Sequence, residues 1–140
     1  MKTKFTLAAL VLCTLLSAQK KKNGTIYIEH PAMDVVEQFN SAFVSGDVEK
    51  IKSLVSDDFS WRNSTMREKP GTLKQLLGRS NYLSNNIENF EIKHYGGSYP
   101  DAFEYKKDNI LDVKTYTWMT GYDKNTGVAL NMPRYADFRV

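Results

Sequence analysis

The stretch from Asp34 to Asn63 constrains the fold most, because it changes period twice within thirty residues. Val35, Val36, Phe39, Ala42 and Phe43 fall at helical spacing, with Glu37, Gln38, Asn40 and Ser41 assigned to the opposite, polar face. Gly46 stands where a helix ends in a left-handed residue. Asp47 is placed to cap a second helix that buries Val48, Ile51, Leu54 and Val55. Phe59 and Trp61 then alternate with Ser60 and Arg62, the period of a strand with one buried face. Two short amphipathic helices feeding an aromatic strand cannot close a core alone, so the rest of the chain must supply a sheet.

It does so in order. Asn63 to Gly71 is a polar loop, and Thr72 with Gln75 forms a capping box opening a third helix. That helix carries Leu73, Leu76, Leu77, Ser80, Leu83 and Ile87 on one face, and Gly78 within it offers a point for close backbone approach. From Phe90 the period drops to two: Phe90 to Tyr95, a short strand around Ala102 to Tyr105, and a long one from Asn109 to Tyr122. Asp123 to Gly127 reads as a hairpin loop, and Val128 to Val140 returns, with Pro133 marking a bulge or a sheet edge. The expected class is α+β: a cone-shaped roll of three N-terminal helices packed on a curved, mostly antiparallel sheet.

The N-terminus stands apart. Lys2 and Lys4 precede an apolar run from Leu7 to Leu16 and the small pair Ser17-Ala18, so residues 1–18 read as a signal peptide. The apolar run is too short for a bilayer span, and Cys13 sits inside it rather than behind a small residue, which gives no stable membrane anchor. Residues 19–31 form a polar leader and 32–140 the domain, whose end at Asp-Phe-Arg-Val suggests that a last strand is missing. The expected location is periplasmic or extracellular.

Charge and cysteine content then exclude several classes. The excess of 19 basic over 16 acidic residues resides in Lys2, Lys4 and the Lys20 to Lys22 run, so the folded part is net acidic and no nucleic-acid surface is expected. The single cysteine leaves with the signal, excluding disulfides and cysteine-ligated metals. His30 and His94 are far apart in sequence, and no glycine-rich phosphate loop follows a strand, so no metal and no cofactor are expected.

The run Ala-Phe-Val-Ser-Gly-Asp, followed by Val-Glu-Lys-Ile-Lys-Ser-Leu-Val-Ser-Asp-Asp-Phe, resembles the entry to the nuclear transport factor 2-like superfamily, in its SnoaL-like, polyketide cyclase-like branch. The resemblance covers Asp34 to Val140. It implies a cone with a pocket between sheet and helices, a fold that hosts lyases, isomerases, cyclases and pure binding domains. Carried through the Gly46-Asp47 and Asp57-Asp58 signatures, the isomerase branch's oxyanion-hole tyrosine falls on Phe39 and its general-base aspartate on Asn63. Phenylalanine donates no hydrogen bond and asparagine takes no proton near neutrality, so that mechanism is lost. The resemblance also implies a homodimer through the sheet.

Two functions follow as expectations. One is a non-catalytic exported domain binding a small apolar molecule or a partner protein; the other is a lyase, isomerase or cyclase working by acid/base residues in the cone. For catalysis the candidates are His94 and Asp112, the only His and Asp near strand centres, which must both point into the cone to act together. For ligand binding they are Phe39, Trp61, Asn63, Tyr82, Tyr116 and Trp118. Asn131, Arg134, Tyr135 and Asp137 join Tyr116 and Trp118 as residues of either the cavity or the outer sheet face.

Overall fold

A computed structural model describes residues 23–63, 69–96 and 100–140. The signal segment and the Lys20 to Lys22 run lie outside the described residues. The order is β1 (Gly24–Tyr27), α1 (Pro31–Ser45), α2 (Val48–Leu54), α3 (Leu73–Asn86), β2 (Ile87–His94), β3 (Asp101–Tyr105), β4 (Ile110–Asp123) and β5 (Ala129–Arg139).

The helix boundaries are set by local chemistry. α1 starts three residues ahead of Asp34 because His30 caps it, its Nδ1 accepting from the Ala32 amide at 3.1 Å. Gly46 at φ 74 ends it, and a side chain there would also strike Ser84 of α3. Asp47 accepts from the Lys50 amide at 2.9 Å and starts α2. The Thr72–Gln75 capping box opens α3. Gly78, expected to admit a neighbouring backbone, has nothing within 4 Å of its would-be Cβ and lies exposed. Its effect is only the local entropy a glycine adds to a helix.

The sheet is antiparallel and built around β4. β3 and β2 pair with successive halves of one edge of β4, β1 extends β3, and β5 pairs along the whole other edge from Asp112↔Arg139 to Tyr122↔Ala129. Gly24–Tyr27, within the segment read as a polar leader, forms a strand of the sheet through its pairing with β3. Conversely, the strand expected at Phe59 and Trp61 is reduced to one bridge, Trp61↔Gly71. A bulge between Glu88 and Glu91, with Asn89 at φ 52, bends β2 against β4. Gly121 lies beneath it, where a Cβ would collide with Ile87 and the Glu88 carbonyl.

Alternation on β4 divides its residues between two surfaces. Val113, Thr115, Thr117 and Met119 are buried on the face covered by the helices, whereas Tyr116 and Tyr122 on the opposite face are exposed. The core follows in two contiguous clusters. Phe39, Phe43, Ile51, Leu76, Phe90 and Met119 join all three helices to β2 and β4. Ala32, Met33 and Val36 pack the start of α1 on Ala102 and Val113. Ser80, fully buried, donates to the Phe43 carbonyl at 2.8 Å and so satisfies an orphan carbonyl at the end of α1.

Candidate functional site

Register, not proximity in sequence, assembles the site. His94 pairs with Thr117 and Thr117 pairs with Arg134, so three polar residues stand side by side across β2, β4 and β5 on the helix-covered face. One turn of α1 lies opposite them. Glu37 Oε1 is 3.0 Å from His94 Nε2, and Asn40 Oδ1 accepts from Arg134 Nη1 at 3.2 Å. The layer is therefore a polar row on the sheet met by two side chains one helical turn apart.

Within this layer the groups differ in what they have left to offer. The Thr117 hydroxyl donates to the Arg134 carbonyl at 3.3 Å and is spent on the sheet itself. Asn40 is 5% exposed, and its side-chain oxygen is directed at the guanidinium. His94 and Glu37 open to solvent, with side chains 35% and 47% exposed, and form the rim. Arg134 is half-buried, its guanidinium carbon 5.5 Å over the Phe138 ring, which meets Phe39 edge-on at 5.6 Å. Burial, and after it the charge of Arg79, bring the Arg134 pKa down to about 10 against the opposing charge of Glu37.

The residues singled out from sequence are scattered by this geometry. His94 and Asp112 stand on opposite faces: His94 meets Glu37, while Asp112 shares its face with Tyr116 and accepts from Arg139 Nε at 3.2 Å. They form no acid/base pair. Of the six proposed ligand residues, Phe39 lies in the core at the site's floor. Trp61 packs on Gly71 and donates to the Thr72 carbonyl at 3.1 Å. Asn63 and Tyr82 are exposed, and Tyr116 and Trp118 project from the outer face. Of the residues assigned to the polar face by sequence, Asn40 is buried, and Glu37 stays half-exposed while reaching His94. For Asn40 a signal existed: it lies four residues after Val36 and three before Phe43, on the buried stripe.

The outer face has a different character. Tyr95 and Trp118 lie 5.6 Å apart and Tyr116 and Tyr135 5.0 Å apart. With Pro133 they border an open hollow of about 290 Å³. Beside it Lys114 pairs with Asp137 at 3.1 Å, and the Tyr135 hydroxyl donates to Asp137 at 2.9 Å. The Asp137 hydrogen bond holds Lys114 charged well above the usual lysine range. Among the described residues no three His, Cys, Asp or Glu side chains gather to hold a metal, and no helix is long and apolar enough to cross a membrane.

No protein-family model matches the sequence, and no curated protein matches it. A solved structure does: a hypothetical protein from Catenulispora acidiphila with a ketosteroid isomerase-like fold, in complex with trimethylamine. It aligns at a TM-score of 0.51 and 14% identity over 76% of this chain and 75% of that one. The fold is ketosteroid isomerase-like. The helix order and antiparallel sheet expected from the sequence are those of this fold. Within that fold, Phe39 lies in the core cluster without a hydroxyl, and Asn63 is exposed at the end of the Trp61 segment.

Proposed function

We propose that this is an exported, non-catalytic domain that binds a small organic molecule at the mouth of the cone, over the His94–Thr117–Arg134 row. The observation that carries this reading is the meeting of that row with Glu37 and Asn40 across the helix–sheet gap. A few convergent polar groups beside an aromatic floor are the usual makings of a small-molecule site. The trimethylamine complex of the Catenulispora protein supports the use of this fold for small ligands. Phe39 and Asn63, in place of a phenol and a carboxylate, argue against isomerase chemistry. Thermal-shift screening of small apolar compounds tests the reading, since a ligand at concentration [L] stabilises by RT ln(1 + [L]/Kd). Shifts that vanish in Arg134→Met and persist in Tyr116→Ser support the inner site; shifts lost only in Tyr116→Ser refute it.

One observation favours a second reading. The 3.0 Å His94–Glu37 contact is an imidazole beside a carboxylate at the rim of the same site, the geometry of an oriented general base. Under that reading the domain is a lyase, isomerase or cyclase. Turnover of a bound ligand that disappears in His94→Gln, with binding retained, would establish it.

The outer face supports a homodimer through the sheet. Tyr95, Tyr116 and Tyr135 are each about half exposed beside Trp118, a concentration of aromatic surface suited to an interface. Sedimentation of the chain against Tyr116→Glu reads it directly.

A further inference from the structure

We infer that the ligand carries a carboxylate, which docks on the Arg134 guanidinium between α1 and β5 with its apolar part toward Phe138. This inference rests on the inner-site reading above and names the chemical class of its ligand.

The argument is one of unmet charge. A guanidinium offers five N–H donors in a planar fork. Among the described residues, the side-chain acceptor of Arg134 is the neutral Asn40 amide oxygen, through Nη1 at 3.2 Å, and no carboxylate lies within ion-pair distance. The acid that faces it, Glu37, is held at 3.0 Å by His94. Arg79, from α3, adds positive potential rather than relieving it. A cation withdrawn from water is ordinarily paired by the protein that withdraws it. Here the protein supplies a hydrogen bond, an aromatic ring and a second cation, and leaves the counter-charge to come from outside.

Two details favour a carboxylate over other charges. A single planar fork matches the two oxygens of a carboxylate, and Asn40 fixes one edge of the guanidinium while leaving the remaining donors unassigned. The Phe138 ring beneath the guanidinium, met edge-on by Phe39, extends the site as apolar surface. A cationic ligand would meet the Arg134 guanidinium, whose charge the field of Arg79 reinforces and that of Glu37 offsets.

The test uses three probes of one shape: phenylacetate, phenylacetamide and phenethylamine, titrated calorimetrically into the purified chain. Phenylacetate is expected to bind at least about tenfold more tightly than phenylacetamide, with an affinity that falls as salt is raised. Phenethylamine is expected to bind more weakly than either. Arg134→Met should bring the acid down to the level of the amide, and Arg134→Lys should keep part of the preference, which also controls for folding. If amide and acid bind equally, or the amine binds best, the carboxylate inference falls while the inner-site reading stands. If none of the three binds and a broad neutral fragment set leaves the melting temperature unchanged, both fall together.

Discussion

Replacing Arg134 with methionine separates a functional from a structural role for the buried guanidinium. Burial, and after it Arg79, lower its pKa from the usual arginine range to about 10. At about 1.4 kcal/mol per unit this gap corresponds to roughly 3 kcal/mol of folding free energy withheld by the charge. Solvent reaching the half-buried group trims that to about 2 kcal/mol. The variant gives up the charge-assisted bond to buried Asn40, about 1.5–3 kcal/mol, and the contact with the Phe138 ring, about 0.5–1 kcal/mol. Methionine regains about 1 kcal/mol by burying apolar surface. The expected outcome is therefore a variant whose stability lies within about 1 kcal/mol of the parent's. The sign also fixes the pH dependence. A base whose folded pKa is lowered carries its penalty in full below about pH 10 and loses it as pH rises from there toward the usual arginine range, so the difference should be flat from pH 6 to 9. Urea unfolding of both proteins across that range measures it. A structural ion pair broken at this position would cost about 3–5 kcal/mol. A loss above about 2 kcal/mol at neutral pH would refute the idea that the chain leaves this cation uncompensated.

Ile51, fully buried where α2 meets the main core cluster, should lose about 2–5 kcal/mol on Ile51→Ala in urea unfolding. Gly46→Ala meets both a left-handed backbone at φ 74 and Ser84 Oγ at 2.4 Å from the new Cβ, and should cost more than about 1 kcal/mol. Gly78→Ala, in open space within α3, should instead gain a few tenths to about 1 kcal/mol, and the two thermal shifts should have opposite signs. Asp123 accepts from the Thr126 amide and hydroxyl and from the Asn125 amide, which hold its pKa below 3.8. A lowered acid pKa stabilises above the unfolded value and is lost as pH falls through the folded one, so the melting-temperature gap to Asp123→Ala should shrink below about pH 4. Tyr116→Glu should shift sedimentation toward monomer and leave binding of phenylacetate unchanged.

Much of the fold could be read from local pattern because local pattern causes it. The Gly46-Asp47 junction, the Thr72–Gln75 box and the alternation of β4 each act over a few residues, and each stands where its chemistry places it. The site is different in kind. Glu37 meets His94 across 57 residues of sequence, and Asn40 meets Arg134 across 94. Both contacts depend on the register of two strand pairs, which periodicity does not encode. The same gap explains why the sequence leaves open whether His94 and Asp112 meet: each sits near the centre of a strand, and only the pairing reveals that they face opposite ways. Asn40 was misplaced for a simpler reason. An asparagine on an apolar stripe reads as polar surface until its partner, here a guanidinium, is known.

The parity of β4 gives the two faces of the sheet different characters. Thr117 and its neighbours at 115 and 119 face the helices, while Tyr116 and Trp118 face outward, so consecutive residues serve different surfaces. A slip of one residue between β4 and β5 would drive Tyr135 toward Asn40 and expose Arg134 among the outer aromatics, exchanging the two surfaces wholesale. What resists such a slip is visible in the structure: the Thr115 and Thr117 hydroxyls reach across to the Ala136 and Arg134 carbonyls at 3.4 and 3.3 Å, and Asp123 locks the connecting turn. The Asn40–Arg134 bond adds a third constraint from the helix layer. A buried polar contact of this kind specifies register even when its net contribution to stability is small. Arg134 therefore does two things at once: it turns a charge toward Asn40 of α1, and it marks which face of β5 belongs inside.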